Sequence, residues 1–81
     1  DPIGPSFDVL CQVGTFGGIN LGVFETDIFT ACVRYCAQDG RCTALQFDKE
    51  ASVCYTYVEV ATLAENTRFD AAVRIFTGGG R

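Results

Sequence analysis

The stretch "CVRYCAQDGRCTALQFDKEASVC", residues 32–54, decides the fold because it holds four of the five cysteines in the chain. The whole chain has 81 residues and no histidine. A domain of this length lies near the lower limit at which a hydrophobic core is stable without help, so we expect additional crosslinks. The four cysteines are therefore candidates for metal ligands, for a redox pair or for disulfides.

The first part of this region has the period of an α-helix. Apolar residues and cysteines recur at helical spacing, at Phe29, Cys32, Val33, Cys36 and Ala37. This spacing predicts one helix with both cysteines on its apolar face. Thr26 or Asp27 is expected to cap the start of the helix, and Gly40 is expected to end it.

The second part predicts a β-hairpin. The runs "CTALQFD" (42–48) and "VCYTYVEV" (53–60) alternate in polarity, and the polar residues "KEAS" join them. Pairing Asp48 with Val53 sets the register. One face of the hairpin, which we expect to pack on the helix, then carries Leu45, Phe47, Cys54 and Thr56. The opposite face carries Ala44, Gln46, Tyr55 and Tyr57.

The remaining sequence predicts one domain, residues 1–81, with a core of about 7–77 and flexible flanks at 1–6 and 78–81. "FDVLCQV" (7–13) predicts a strand whose inward face includes Cys11. The glycine-rich residues 15–24 predict a connection with room for a second, bent strand. Residues 62–70 are polar and predict a loop, and residues 71–77 predict a closing strand.

The positions of the cysteines favour disulfides. Cys32 and Cys36 lie one turn apart on the helix, Cys54 faces that helix, and Cys42 lies just past its end, so Cys32–Cys54 and Cys36–Cys42 can form without crossing. Zinc is the alternative, but the paired C-x2-C knuckles usual in such sites are absent. A redox dithiol is disfavoured because these cysteines lie within the helix and not at its exposed N-terminus.

Composition excludes several classes of function. The formal net charge is −4, and the six Lys and Arg residues are scattered, which argues against nucleic-acid partners and a polybasic membrane anchor. The longest uncharged run, residues 9–24, is too short and too rich in glycine for membrane insertion. Without histidine no serine or cysteine triad is expected, and the scattered acids indicate a solvated surface and not a catalytic pair, a calcium site or another metal site. We therefore expect no catalysis and no cofactor.

Binding is the function that remains. The outward hairpin face carries Gln46, Tyr55 and Tyr57, with Asp48 and Lys49 at its turn. Aromatic rings beside amide and carboxylate groups suit a sugar or a protein partner equally. Tyrosine is also ordinary in strands, and a terminal strand that covered this face would make the same residues a matter of packing.

The ordered set of features resembles the PAN/apple domains. These features are a helix with C-x3-C, a third cysteine after a short gap, the strand "CTALQFD", a polar turn and the strand "VCYTY". "FDVLCQV" followed by "GGINL" is most similar to apple-type domains of fungal extracellular proteins. The resemblance implies a single helix cradled by a curved antiparallel sheet, with the two disulfides above at its centre. It also implies adhesion or recognition of proteins or carbohydrates.

The sequence departs from the full apple pattern at Cys11. Apple domains add a disulfide between an N-terminal and a C-terminal cysteine, and no cysteine follows Cys54 here. Cys11 is therefore unpaired within the chain, and its inward position predicts an unreactive thiol in the monomer. A cysteine elsewhere in a longer protein or in a second copy is the alternative partner.

Taken together, the sequence predicts an α+β fold and a secreted, non-catalytic recognition or adhesion module. Its expected partner is an extracellular carbohydrate or protein at a cell surface or in the extracellular matrix. The alternative is a structural subunit that self-associates through edge strands and Cys11. The 48% hydrophobic content and the positive mean hydropathy support this alternative.

Overall fold

The computed structural model describes residues 6–75, so the expected flanks lie outside it except for Ser6. It contains seven strands and one helix. In chain order these are β1 (Ser6–Leu10), β2 (Val13–Phe16), β3 (Ile19–Glu25), α1 (Phe29–Gln38), β4 (Ala44–Asp48), β5 (Val53–Glu59), β6 (Thr62–Glu65) and β7 (Phe69–Ile75).

The strands form two antiparallel sheets. The larger sheet has five strands in the order β1-β7-β4-β5-β3, and the smaller one pairs β2 with β6. The helix packs against one face of the larger sheet, which we call the first face, and the opposite side is the second face. This architecture confirms the predicted α+β class with one helix, and it adds a second small sheet that the sequence did not indicate.

The hairpin of β4 and β5 has the predicted register. Asp48 pairs with Val53 and Phe47 with Cys54. Strand β4 is central, and all five of its residues are buried. The alternation puts Leu45 and Phe47 on the first face, in the core beside the helix.

Two disulfides join the helix to its surroundings. Cys32 is bonded to Cys54 and Cys36 to Cys42, with Cα–Cα distances of 5.6 Å and 5.2 Å. These are the two pairs that the sequence layout predicts. All four cysteines are fully buried, so the crosslinks form the centre of the core.

The helix ends differ in detail from the prediction. Ile28, and not Thr26 or Asp27, is the N-cap, and no side chain caps the helix. The hydroxyl of Thr26 instead accepts a hydrogen bond from the backbone N–H of Ile28, at 3.2 Å, which closes a turn before the helix begins. The C-cap is Asp39, one residue before the predicted Gly40.

Arg74 of β7 satisfies the carbonyl groups at the C-terminal end of the helix. Its guanidinium donates to the carbonyls of Cys36 and Cys42 at 2.8 Å each and to that of Asp39 at 3.1 Å. It also lies over the Phe7 ring, 5.4 Å from the centroid. Carbonyls at a helix C-terminus lack intrahelical partners and carry partial negative charge, so a cation is a favourable donor here.

The predicted strand at residues 7–13 is wrong towards its C-terminal end, because β1 ends at Leu10. The chain turns at Cys11 and Gln12, where Gln12 has a φ of 60°. The N–H of Gln12 donates to the Asp70 carboxylate at 3.0 Å, and its carbonyl accepts from the N–H of Asn66 at 2.7 Å. Cys11 therefore lies on an exposed turn, and its predicted inward position is also wrong.

The predicted loop at residues 62–70 is wrong as well, because it contains β6 and the start of β7. Strand β6 pairs with β2, about fifty positions earlier in the chain, from Val13 opposite Glu65 to Phe16 opposite Thr62. Most of its residues are exposed, so it lacks the buried alternation by which a strand is found in a sequence. The closing strand begins at Phe69, two residues earlier than predicted.

Candidate functional site

The small sheet of β2 and β6 covers part of the second face. The backbone N–H of Thr15 donates to the side-chain carbonyl of Gln46 at 2.9 Å. The side-chain amide of Gln46 in turn donates to the Tyr57 hydroxyl at 2.8 Å. Gln46, which the sequence puts forward as a binding residue, is only 8% exposed. Its hydrogen-bonding groups therefore serve to attach β2 to the sheet.

Asp48 is also occupied within the domain. Its two carboxylate oxygens each accept from the Arg68 guanidinium at 2.8 Å, and one of them also accepts from the N–H groups of Glu50 and Ala51 at 3.0 Å. The carboxylate is buried, at 3% exposure. The hydrogen bonds from Arg68, supported by those of the turn, outweigh burial and lower the pKa of Asp48 to about 2.

Lys49 lies at the same end of the sheet but makes a different ion pair. Its ammonium group is 3.2 Å from the Asp70 carboxylate, which also accepts the Gln12 N–H. Lys49 is exposed, so its charge remains open to solvent. Lys49 is therefore linked through Asp70 to the turn between β1 and β2, and not to the tyrosines.

The part of the second face that the small sheet of β2 and β6 leaves uncovered is apolar and aromatic. We call Val23, Tyr55 and Tyr57 the aromatic strip. Val23 lies opposite Tyr55 in the register, on the edge strand β3, and is 57% exposed. Both tyrosines are half-buried. Of the five predicted binding residues, Tyr55 and Tyr57 are thus the two that present ring surface, and only the hydroxyl of Tyr57 belongs to the internal network.

Arg68 belongs to this region, and the sequence reasoning missed it. Its hydrogen bonds to Asp48 raise the pKa of Arg68, and the nearby Glu50 and Tyr55 also raise it. The guanidinium is 3.8 Å from the Glu50 carboxylate, and the side chain is 44% exposed. No local pattern in the sequence indicated a role for Arg68, because its partner Asp48 lies twenty positions away. The segment around Arg68 was also predicted to be a loop.

A groove lies beside the aromatic strip. It has a volume of about 580 Å³, and we call it the apolar groove. Ala44 and Val73 contribute from the sheet, and Val60, Ala61 and Leu63 contribute from the connection between β5 and β6 and from β6 itself. Ala44 lies opposite Tyr57 in the register, so the groove lies next to the strip. The sequence did not predict the groove because β6 was not predicted.

The acidic residues within 6–75 do not assemble into a metal site. Asp39 accepts from the Arg41 side chain at 3.2 Å, and this hydrogen bond lowers its pKa. Within residues 6–75 no group of three or more Cys, Asp or Glu side chains is arranged to hold a metal ion. The same residues contain no helix with the length and apolar character needed to cross a bilayer.

Comparison with known families agrees with this geometry. The sequence profile of the PAN domain matches residues 9–77, which is most of the chain. The chain belongs to the PAN domain family. A search of curated proteins found no significant match. PAN domains are modules that bind proteins or carbohydrates and are in general not catalytic. The α+β core and the two disulfides of this chain are consistent with a PAN domain.

Proposed function

We propose that this PAN domain is a secreted, non-catalytic recognition module that binds an extracellular protein through its second face. The observation that carries the proposal is the aromatic strip. It combines an exposed apolar edge, with Val23 at 57% exposure, and two tyrosine rings on a rigid sheet. Aromatic residues on a rigid support are enriched in the buried centre of protein interfaces.

The internal hydrogen bonds favour a protein over a carbohydrate as the partner. A sugar site needs polar groups that fix the orientation of the ring hydroxyls beside the aromatic face. Gln46 and Asp48, the nearest predicted donors and acceptors, are buried and already bonded to Thr15, Tyr57 and Arg68. The surface that remains is mostly apolar, and it suits the side chains of another protein.

The disulfides support an extracellular location. Both crosslinks lie in the core, and their cysteines are fully buried. Small domains that depend on such crosslinks occur in oxidising compartments, because cytosolic thiols are kept reduced. Secretion and a role in adhesion at a cell surface or in the extracellular matrix follow as parts of the proposal.

An array experiment tests the class of partner. The folded chain, labelled at its N-terminus, is applied in parallel to an array of extracellular proteins and an array of glycans. We expect saturable binding to one or a few proteins and none to glycans. Binding to glycans alone would contradict the choice of a protein partner, and no binding on either array would contradict recognition itself.

The exposed Cys11 supports a second candidate function, which is self-assembly. This thiol lies on the turn between β1 and β2, and β1 and β3 are the two edge strands of the larger sheet within residues 6–75. Open edges can pair with a second copy. Measurement of molecular mass with and without reductant tests this function: a covalent or non-covalent oligomer supports it, and a monomer in both conditions contradicts it.

A further inference from the structure

The apolar groove has the size and lining of a binding pocket for side chains. Its volume of about 580 Å³ lies within the range of about 300 to 1,000 Å³ that is typical of ligand pockets. Ala44 and Val73 leave space where larger residues would fill it, and Leu63 lines the opposite side while 42% exposed. The groove is open to solvent along a surface where Val58 is also exposed.

Two charged residues of opposite sign line the groove, Glu59 and Arg74. Glu59 lines the groove and is exposed, so its carboxylate is available to a partner. Arg74, the cation that also lines it, donates to three backbone carbonyls and lies over the Phe7 ring. Its Nε and Nη2 groups are therefore occupied within the domain. An incoming cation would meet an exposed carboxylate, whereas an incoming anion would meet a half-buried guanidinium that already donates to three carbonyls.

We propose that the apolar groove receives one bulky apolar side chain of an extended protein segment, and that a lysine or arginine next to that side chain pairs with Glu59. The proposal rests on the proposed function, since it names the partner chemistry that the second face would select. A segment with an acidic residue at the same position would be disfavoured, because its charge would face Glu59.

The position of the apolar groove beside the aromatic strip supports an extended segment as the occupant. Tyr57 lies directly opposite Ala44 across β5 and β4, and Val23 and Tyr55 lie further along the same face. A segment anchored in the groove can continue over the tyrosine rings, so one partner would cover both surfaces. Anchoring of a few apolar side chains in pockets is a common mode of peptide recognition.

The test uses capped dipeptides as probes and NMR as the readout. The uniformly 15N-labelled chain is titrated with N-acetyl-Phe-Lys-amide, N-acetyl-Phe-Glu-amide and N-acetyl-Ala-Lys-amide. We expect amide shifts to change around Ala44, Leu63 and Val73 with the first probe. Its affinity should exceed that of the glutamate probe by about twofold to fivefold, as for an exposed ion pair. The alanine probe should bind more weakly than either phenylalanine probe, since it cannot fill the groove.

Two variants assign the effect to the named residues. Glu59→Gln should remove the preference for lysine over glutamate, whereas the control Glu65→Gln, an exposed acid on β6, should preserve it. Leu63→Ser should weaken all phenylalanine probes, and an unchanged amide spectrum elsewhere would show that the variant is folded.

Absence of shifts at the groove at millimolar probe, or equal affinity for the lysine and glutamate probes, would overturn the proposal. Shift changes confined to Val23, Tyr55 and Tyr57 would also overturn the proposed binding in the apolar groove. They would leave recognition by the second face intact. The array experiment distinguishes the two failures, since a protein partner whose binding is unaffected by Leu63→Ser and Glu59→Gln would refute the groove alone.

Discussion

Asp48 is a buried carboxylate held by one arginine and by the N–H groups of its own turn. Its folded-state pKa of about 2 lies below the value of about 3.9 that is usual for an unfolded chain. The stabilisation is therefore present above about pH 4 and is lost as the pH falls through about 2.

We expect this loss to reach about 1 to 2 kcal/mol, after allowance for the partial exposure of Arg68. Urea unfolding between pH 2 and pH 7 measures it, with Asp48→Asn as the comparison. The free energy of unfolding of Asp48→Asn should vary less across the acid range. An equal dependence in both proteins would show that other carboxylates are responsible.

Arg74 is the second residue whose side chain is central to the fold, because it serves three carbonyls at and just beyond the end of α1. Arg74→Met keeps much of the aliphatic volume but removes every donor. We expect a loss of about 1 to 2 kcal/mol in the free energy of unfolding, since the Cys42 carbonyl loses its donor. The Cys36 and Asp39 carbonyls keep the backbone N–H groups of Asp39 and Cys42 as partners. The control is Arg34→Met, which replaces an exposed arginine on α1 and should change stability little.

At the scale of the elements, the two disulfides are expected to contribute unequally. Cys32–Cys54 spans 22 positions and Cys36–Cys42 spans 6. In the loop-entropy description a longer closed loop restricts the unfolded chain more, which gives about 3 kcal/mol for the first and about 2 kcal/mol for the second. Unfolding of the two Cys→Ala double variants measures this difference. A greater loss without Cys36–Cys42, or peptide mapping that joins Cys32 to Cys36, would contradict it.

The sequence predicted those elements whose pattern is local. The helix and the hairpin of β4 and β5 were found because spacing within about ten residues exposes a period, and the register followed from one short turn. Strand β6 was missed because its partner β2 is distant in the chain and its residues are largely exposed. The orientation of Cys11 failed for a related reason, since alternation gave no sign of the turn that Gln12 makes.

In the candidate site, too, local patterns were predicted and contacts between distant segments were not. The tyrosines were found because strand alternation places them outward from a hairpin of known register. The burial of Gln46 and Asp48 depends on Thr15 and Arg68, which approach from elements far away in the sequence. Their polar character alone gave no way to tell a ligand contact from an internal bond. The binding role of the five residues therefore stays a prediction, now centred on Tyr55 and Tyr57.

At the scale of the whole molecule, Cys11 differs from the other cysteines by its position on the surface. We expect a thiol reagent such as iodoacetamide to label Cys11 in the folded protein and to spare the disulfide-bonded cysteines. Mass spectrometry of the intact chain should show a single adduct, which Cys11→Ser removes. Labelling that required denaturant would contradict the exposed position.

The molecule as a whole has two unlike surfaces. The helix and the disulfides close the first face, while the second face is only partly covered by the small sheet of β2 and β6. The aromatic strip and the apolar groove lie on that partly covered side. We therefore expect the first face to provide stability, and we propose that the second face provides recognition.

The most direct test compares the affinity of two matched double variants for the protein partner that the array identifies. Val23→Ser/Tyr55→Ser alters the aromatic strip, and Val9→Ser/Tyr35→Ser removes one valine and one tyrosine at exposed positions elsewhere. Tyr57 is kept because its hydroxyl accepts from Gln46. We predict at least about tenfold weaker binding for the first variant only, with similar melting temperatures for both. Unchanged affinity of a folded Val23→Ser/Tyr55→Ser variant, or equal losses in the two variants, would contradict recognition through the second face.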